Sequence, residues 1–210
     1  SKYDIDGCFS GSAIEDNNKH ILMYTGVVDK KNENGEHYVR QVQCIAIGDG
    51  ENYFKLDSNP VITDELLPEG SSFEDFRDPK IWKEDGDFYS VVASRSKDGS
   101  GQILMFKSEN LKTWELVTIL DKSENKLGRM WECPDFFNID GKNVLVISPQ
   151  EVRATKDGFH NGNNTAFLIG EYDKENKKFN REKTKVIDFG LDFYAPQTFE
   201  DKDGRRIMIG

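Results

Sequence analysis

Trp131-Glu132-Cys133-Pro134-Asp135-Phe136-Phe137-Asn138-Ile139-Asp140-Gly141 sets an acid between a tryptophan and a Cys-Pro step, then runs through a tight turn into Val144-Leu145-Val146-Ile147-Ser148. The same layout recurs three times. Phe76-Arg77-Asp78-Pro79-Lys80-Ile81-Trp82 passes Asp85-Gly86 into Phe88-Tyr89-Ser90-Val91-Val92-Ala93. Phe193-Tyr194-Ala195-Pro196-Gln197-Thr198-Phe199 passes Asp203-Gly204 into Ile207-Met208-Ile209. Phe9-Ser10-Gly11-Ser12-Ala13-Ile14 passes Asn17-Asn18 into Ile21-Leu22-Met23-Tyr24, with Ser12 where the other copies carry proline. Asp-Gly and Asn-Asn tolerate the positive φ that a two-residue hairpin demands, so each copy reads as strand, turn, strand. The register points lie 67, 55 and 62 residues apart. A recurrence near sixty repeats whole supersecondary units.

The residues between the copies complete the unit. Tyr38 to Ile47 alternates and then turns apolar, as a third strand would, and Gly48-Asp49-Gly50 leads to Tyr53-Phe54-Lys55, an edge strand. In the second unit Gln102 to Lys107 and Trp114 to Leu120 take these places. In the third, Thr165 to Tyr172, a turn at Glu175-Asn176, then Phe179 and Lys185 to Asp188 do so. Phe54, Trp114 and Phe179 fall at similar offsets after their turns. Four antiparallel strands per repeat predict an all-β fold, a β-propeller with about three and a half blades across residues 1–210. A β-sandwich competes, but it gives no reason for equivalent residues to recur at this period.

Composition narrows the function classes. Net charge is −10, and the 28 Lys and Arg residues are scattered, so the clustered positive surface that nucleic acid or an anionic membrane requires is not signalled. No apolar run approaches the length of a membrane span. Cysteines 8, 44 and 133 form no C-x-x-C pair, which points away from a disulfide framework or zinc site and towards a reducing, cytoplasmic compartment. The polar loop from Asp29 to His37 fails the calcium-loop pattern, because Lys30 and Gln41 occupy its first and last ligand positions. No cofactor and no metal are expected.

In a propeller the innermost strands line a central channel, so Phe9 and Ser10, Arg77 and Asp78, Glu132 and Cys133, and Tyr194 and Ala195 converge on one spot. Two acids, an arginine and aromatic rings around a funnel suit a small saccharide: rings pack on the apolar face of a sugar and carboxylates accept its hydroxyl hydrogens. Taken singly, an Asp beside an Arg is a surface ion pair and a lone Glu a solvated side chain. Their shared register is what argues for a site.

Phe9 to Ala13, Phe76 to Lys80, Trp131 to Phe136 and Asp192 to Phe199 resemble, in order, the signatures of the glycoside hydrolases of the invertase, levanase and sucrose-6-phosphate hydrolase family. The resemblance implies a five-bladed propeller, often followed by a β-sandwich. It implies that Glu132 is the general acid/base, that Asp78 is the transition-state stabiliser on the fructosyl ring with Arg77 positioning it, and that Phe9, Ser10 and Tyr194 contact substrate. Cys133, beside Glu132, is expected to tune its acidity. The family's nucleophile is the aspartate of a Trp-Met-Asn-Asp-Pro-Asn-Gly segment that precedes the Phe-Ser-Gly-Ser element, and no such segment stands before Tyr3. Retaining hydrolysis needs two carboxylates about 5–5.5 Å apart, so this chain alone is expected to be inactive, or nearly so. Sucrose, sucrose 6-phosphate and fructans (levan or inulin) stay open as substrates. So do a binding propeller without catalysis and, more distantly, a furanosidase acting on arabinose or xylose polymers. Arg153, Lys156 and His160 either meet a sugar phosphate or stay solvated, and Asn163-Asn164-Thr165 is a glycosylation sequon. Oligomeric state is not legible.

Overall fold

A computed structural model describes every residue except Asn32, Glu33, Asp157, His160, Asn161 and Leu191. Strands β1 (Gly7–Asp16), β2 (Lys19–Lys31), β3 (His37–Gly48) and β4 (Tyr53–Lys55) form one antiparallel sheet in sequence order. β5 (Phe76–Glu84), β6 (Asp87–Arg95), β7 (Gly101–Ser108) and β8 (Glu115–Lys122) form a second; β9 (Trp131–Ile139), β10 (Lys142–Pro149), β11 (Ala166–Asp173) and β12 (Lys178–Val186) form a third. β13 (Gln197–Glu200) and β14 (Arg206–Ile209) begin a fourth. These are three complete blades and the inner half of another. The inner strands neighbour one another in turn, β1 with β5, β5 with β9 and β9 with β13. Among the described residues the only helix is a 3-10 turn, Asp64–Leu66.

The two-residue period of a strand explains how the blades stack. Val92 of β6 and Leu104 and Phe106 of β7 join Met23, Ile45, Ile62, Phe76 and Trp114 in the core between blades one and two. Their neighbours Val91, Ala93, Ile103 and Met105 face the other way, against Trp131, Phe136, Leu145, Leu168 and Phe179 between blades two and three. A sheet covered on both faces has no solvent side, which is why Ser90 to Ala93 is wholly buried.

The hairpins follow the turn chemistry in three of four units. Asn17 and Asn18 (φ 51° and 57°), Asp85 and Gly86 (52° and 91°), and Asp140 and Gly141 (51° and 78°) all adopt left-handed pairs. The fourth unit departs from this. Glu200 pairs with Arg206, leaving a five-residue connection in which the Asp201 carboxylate accepts the Asp203 and Arg205 N–H groups. Asp201 is the right distance ahead to form this cap, so Asp203-Gly204 does not close a two-residue turn. The similar offsets of three rings also hide different environments: Trp114 and Phe179 are buried, whereas Phe54 sits 72% exposed on the three-residue edge strand. The fourth strand of the third blade is one continuous element, β12, rather than two pieces.

Candidate active site

The inner strands β1, β5 and β9 each carry a β-bulge at the same level, one extra residue relative to the partner strand. Pairing jumps from Phe9–Thr25 to Gly11–Tyr24 in β1, from Arg77–Ala93 to Lys80–Val91 in β5, and from Glu132–Ser148 to Asp135–Val146 in β9. A Cβ at Gly11 would lie 2.0 Å from the Met23 carbonyl oxygen, so only glycine passes there. In the other copies the residue before proline takes the left-handed conformation: Asp78 at φ 60°, Cys133 at 46° and Ala195 at 52°. A side-chain-bearing residue held there costs roughly 1–2 kcal/mol, and proline disfavours the right-handed helical alternative. The bulge re-aims the side chain just ahead of it.

Those side chains meet. Arg77 Nε and Nη2 donate to Glu132 Oε1 at 2.9 and 2.7 Å, while Tyr194 Oη and Gln150 Nε2 donate to Glu132 Oε2 at 2.5 and 2.8 Å. Arg77 also reaches Asp75 (3.1 Å), which Arg95 contacts at 2.6 Å. Burial disfavours the charge on Arg77, but its bonds to Glu132 and Asp75 outweigh this and raise its pKa above the ordinary value. Burial, reinforced by Glu132, likewise pushes the Tyr194 hydroxyl well up, so it stays a neutral donor.

Asp78 is 6% exposed, and its Oδ2 accepts the Cys133 N–H at 3.1 Å and lies 3.6 Å from Cys133 Sγ. Burial raises its pKa, with the charge of Glu132 adding to the effect and Cys133 N–H and Arg77 opposing it. The Cys133 thiol is pushed far up by burial and by the nearby charges of Asp78 and Glu132. Two expectations are therefore redirected: Arg77 bonds Glu132 rather than Asp78, and the Cys133 thiol and amide address Asp78 rather than Glu132. Of the remaining expected residues, Tyr194 joins the cluster. Phe9 and Ser10 occupy the equivalent bulge of β1 but are exposed, and neither hydrogen-bonds to the cluster. Arg153 and Lys156 are exposed, and His160 lies outside the described residues.

Asp78, Cys133 and Ala195 have no cross-strand partner in the ladder, so the backbone N–H of each needs another acceptor. Asp78 N donates to Thr25 Oγ1 and Ala195 N to Ser148 Oγ, each at 3.1 Å. Thr25 and Ser148 hold the same place in their blades, opposite the last residue before the bulge. The corresponding residue in blade two is Ala93, which has no hydroxyl, and the N–H it leaves free is the one on Cys133 that Asp78 accepts.

Past the bulge, equivalent residues form a second ring. Lys80 Nζ contacts Asp135 Oδ2 (3.1 Å), the Thr198 carbonyl (2.6 Å) and Gln197 Oε1 (3.2 Å), and Thr198 Oγ1 donates to Asp135. A concavity of about 1170 Å³ opens on that side, bordered by Lys80, Asp135, Trp82 and Phe137, and touches neither Glu132 nor Asp78. The carboxylate pair, with its strained backbone and perturbed groups, marks the chemistry better than size does. Among the described residues no group of three or more His, Cys, Asp or Glu side chains is placed to hold a metal ion, and the three cysteines are free thiols.

Sequence reasoning missed Gln150, Asp75, Thr25 and Ser148. Gln150 follows the paired end of β10, and Thr25 and Ser148 face the bulge across a rung, so a register of second strands against the prolines would have found the last two.

Fold and site together define a β-propeller with a carboxylate centre at its axis. The chain matches the Glycosyl hydrolases family 32 N-terminal domain over residues 1–210 and belongs to that family. It is 37% identical to the sucrose-6-phosphate hydrolase of Bacillus subtilis and 37% identical to the raffinose invertase of Escherichia coli, in each case over 99% of this chain and 42% of the relative. The Bombyx mori GH32 beta-fructofuranosidase BmSUC1 superposes with a TM-score of 0.86 at 36% identity, covering 96% of this chain and 42% of that one. The Lactobacillus gasseri sucrose-6-phosphate hydrolase gives 0.82 at 31%, covering 99% and 42%. The chain thus spans less than half the length of these relatives.

Proposed function

We propose that the whole protein is a retaining β-fructofuranosidase that hydrolyses the fructosyl bond of sucrose or sucrose 6-phosphate, with Glu132 as its acid/base. The observation that carries this reading is the Glu132 carboxylate itself, held at the propeller axis by Arg77, Gln150 and Tyr194 with Asp78 alongside. Glu132 protonates the departing glucosyl oxygen and then takes a proton from the attacking water. Asp78, buried on the Cys133 amide, accepts hydroxyl hydrogens of the fructosyl ring, and these bonds strengthen as the ring gains positive charge. Retention needs an attacking carboxylate as well. Asp78 cannot both hold the ring and attack it, so the proposal assigns attack to an aspartate of the whole protein outside these 210 residues, as the family resemblance implies. The names of the relatives support the substrate class, including a BmSUC1 mutant structure in complex with sucrose.

The test is Glu132→Gln in the full-length protein. Turnover of sucrose should fall by roughly 10²–10⁴-fold, the usual contribution of a general acid. An aryl β-fructofuranoside whose leaving group needs no protonation should lose much less in its fructosyl-transfer step. Unchanged sucrose turnover refutes the assignment. Parallel kinetics on sucrose, sucrose 6-phosphate and inulin rank the substrates.

A further inference from the structure

The buried polar side chains of blade one have no evident structural need. Thr25, Gln41 and Gln43 are 0%, 4% and 0% exposed on strands whose neighbours are apolar, and burying such groups costs free energy unless they are bonded. They are bonded, and to one target. Thr25 Oγ1 accepts Asp78 N–H at 3.1 Å and donates to Gln43 Oε1 at 2.8 Å. Gln43 Nε2 donates to the Phe76 carbonyl at 2.8 Å, and Gln41 Oε1 accepts the Phe76 N–H at 3.0 Å. Two strands of one blade therefore grip the backbone on both sides of Arg77 in the next.

We propose that Thr25 is a positioning residue for the Asp78 carboxylate, acting through the Asp78 N–H and itself oriented by Gln43. The left-handed backbone at Asp78 is strained, and the Pro79 ring that follows offers no N–H of its own, so the Asp78 N–H is the backbone donor at this turn, and Thr25 Oγ1 accepts it. Without that acceptor the Asp78 N–H is buried and unpaired, and the bulge relaxes towards a backbone that turns the carboxylate off the sugar.

This inference rests on the proposed role of Asp78, and its test separates the two. In the full-length protein Thr25→Val keeps the shape and removes the hydroxyl, Thr25→Ser keeps the hydroxyl, and Gln43→Met breaks the next link should Thr25→Val not fold. Misplacing a reacting group by about 1 Å costs on the order of 10²-fold, so kcat/KM per folded molecule should drop about 10- to 100-fold in Thr25→Val. Gln43→Met should follow in the same direction, with Thr25→Ser restoring most of the loss. Because Asp78 acts on the fructosyl ring, the loss should be equal for sucrose and for an activated aryl fructoside, unlike that of Glu132→Gln. If Glu132→Gln behaves as expected while folded Thr25→Val or Gln43→Met keeps full kcat/KM and only melts earlier, Thr25 is structural and the inference fails alone. If Glu132→Gln keeps its activity, the functional reading itself is at fault.

Discussion

Replacing Lys80 with methionine should destabilise the protein by about 3–5 kcal/mol, the range for removing one partner of a buried ion pair. Lys80 and Asp135 side chains are 14% and 3% exposed, and the three ammonium hydrogens have three acceptors: Asp135, the Thr198 carbonyl and Gln197. Methionine keeps the apolar stem and removes all three bonds. Asp135 is then left in the interior with the Thr198 hydroxyl as its hydrogen-bond donor among the described residues. For a chain of 150–250 residues each kilocalorie moves the melting temperature by about 2–4 °C, so Tm should fall by about 6–20 °C. Equilibrium urea unfolding of wild type, Lys80→Met, Asp135→Leu and the double variant measures the pair. The double variant should recover most of the loss, since an apolar pair of similar volume substitutes well for a buried ion pair. A loss below about 1 kcal/mol in Lys80→Met, the level of an exposed pair, would refute the reasoning that equivalent residues of successive blades close an interior ring.

Asp78→Asn should abolish most turnover yet leave the protein at least as stable as wild type at pH 7. Burial and the charge of Glu132 raise the Asp78 pKa on folding, so the folded state binds its proton more readily than the unfolded chain does. The ionised carboxylate is therefore a cost above the folded pKa, and the cost fades as pH falls through that value towards the ordinary aspartate pKa near ~4. Urea midpoints of the two proteins between pH 4 and 8 should converge at the acid end; divergence there contradicts the sign. Gly11→Ala, which drives a Cβ to 2.0 Å from the Met23 carbonyl, should cost about 1–3 kcal/mol, read by thermal unfolding, and a neutral effect would mean that β1 is not bulged against β2 at this level.

Much of this was legible because proline and Asp-Gly report local backbone. Pro79 and Pro134 fall on the bulges of β5 and β9, Pro196 likewise follows a left-handed residue just ahead of β13, and the residues before these prolines form the site. The register brought Arg77, Glu132 and Tyr194 together across 117 residues of chain. Hydrogen-bond partners were less legible, since they depend on side-chain direction: adjacency suggested Arg77 for Asp78 and Cys133 for Glu132, while the bulge turns neighbouring side chains apart and gives each a partner from another blade. Gln41 and Gln43 look like the polar half of an alternating strand, yet both are buried. Only the presence of the next blade, a contact about 35 residues away in sequence, makes that face interior. Phe54 errs in the opposite direction, an aromatic at a core-like offset left on an outer edge.

Ala93 gives the order of the blades a chemical meaning. Were every unit identical, each would cradle its successor's amide with its own hydroxyl, and the units could trade places around the ring without consequence. A methyl group at one rung breaks that symmetry and hands a single amide to a carboxylate. A hydroxyl-bearing residue in place of Ala93 would keep the outline and the core but offer the Cys133 amide a rival acceptor, and Asp78 would lose its claim on that amide.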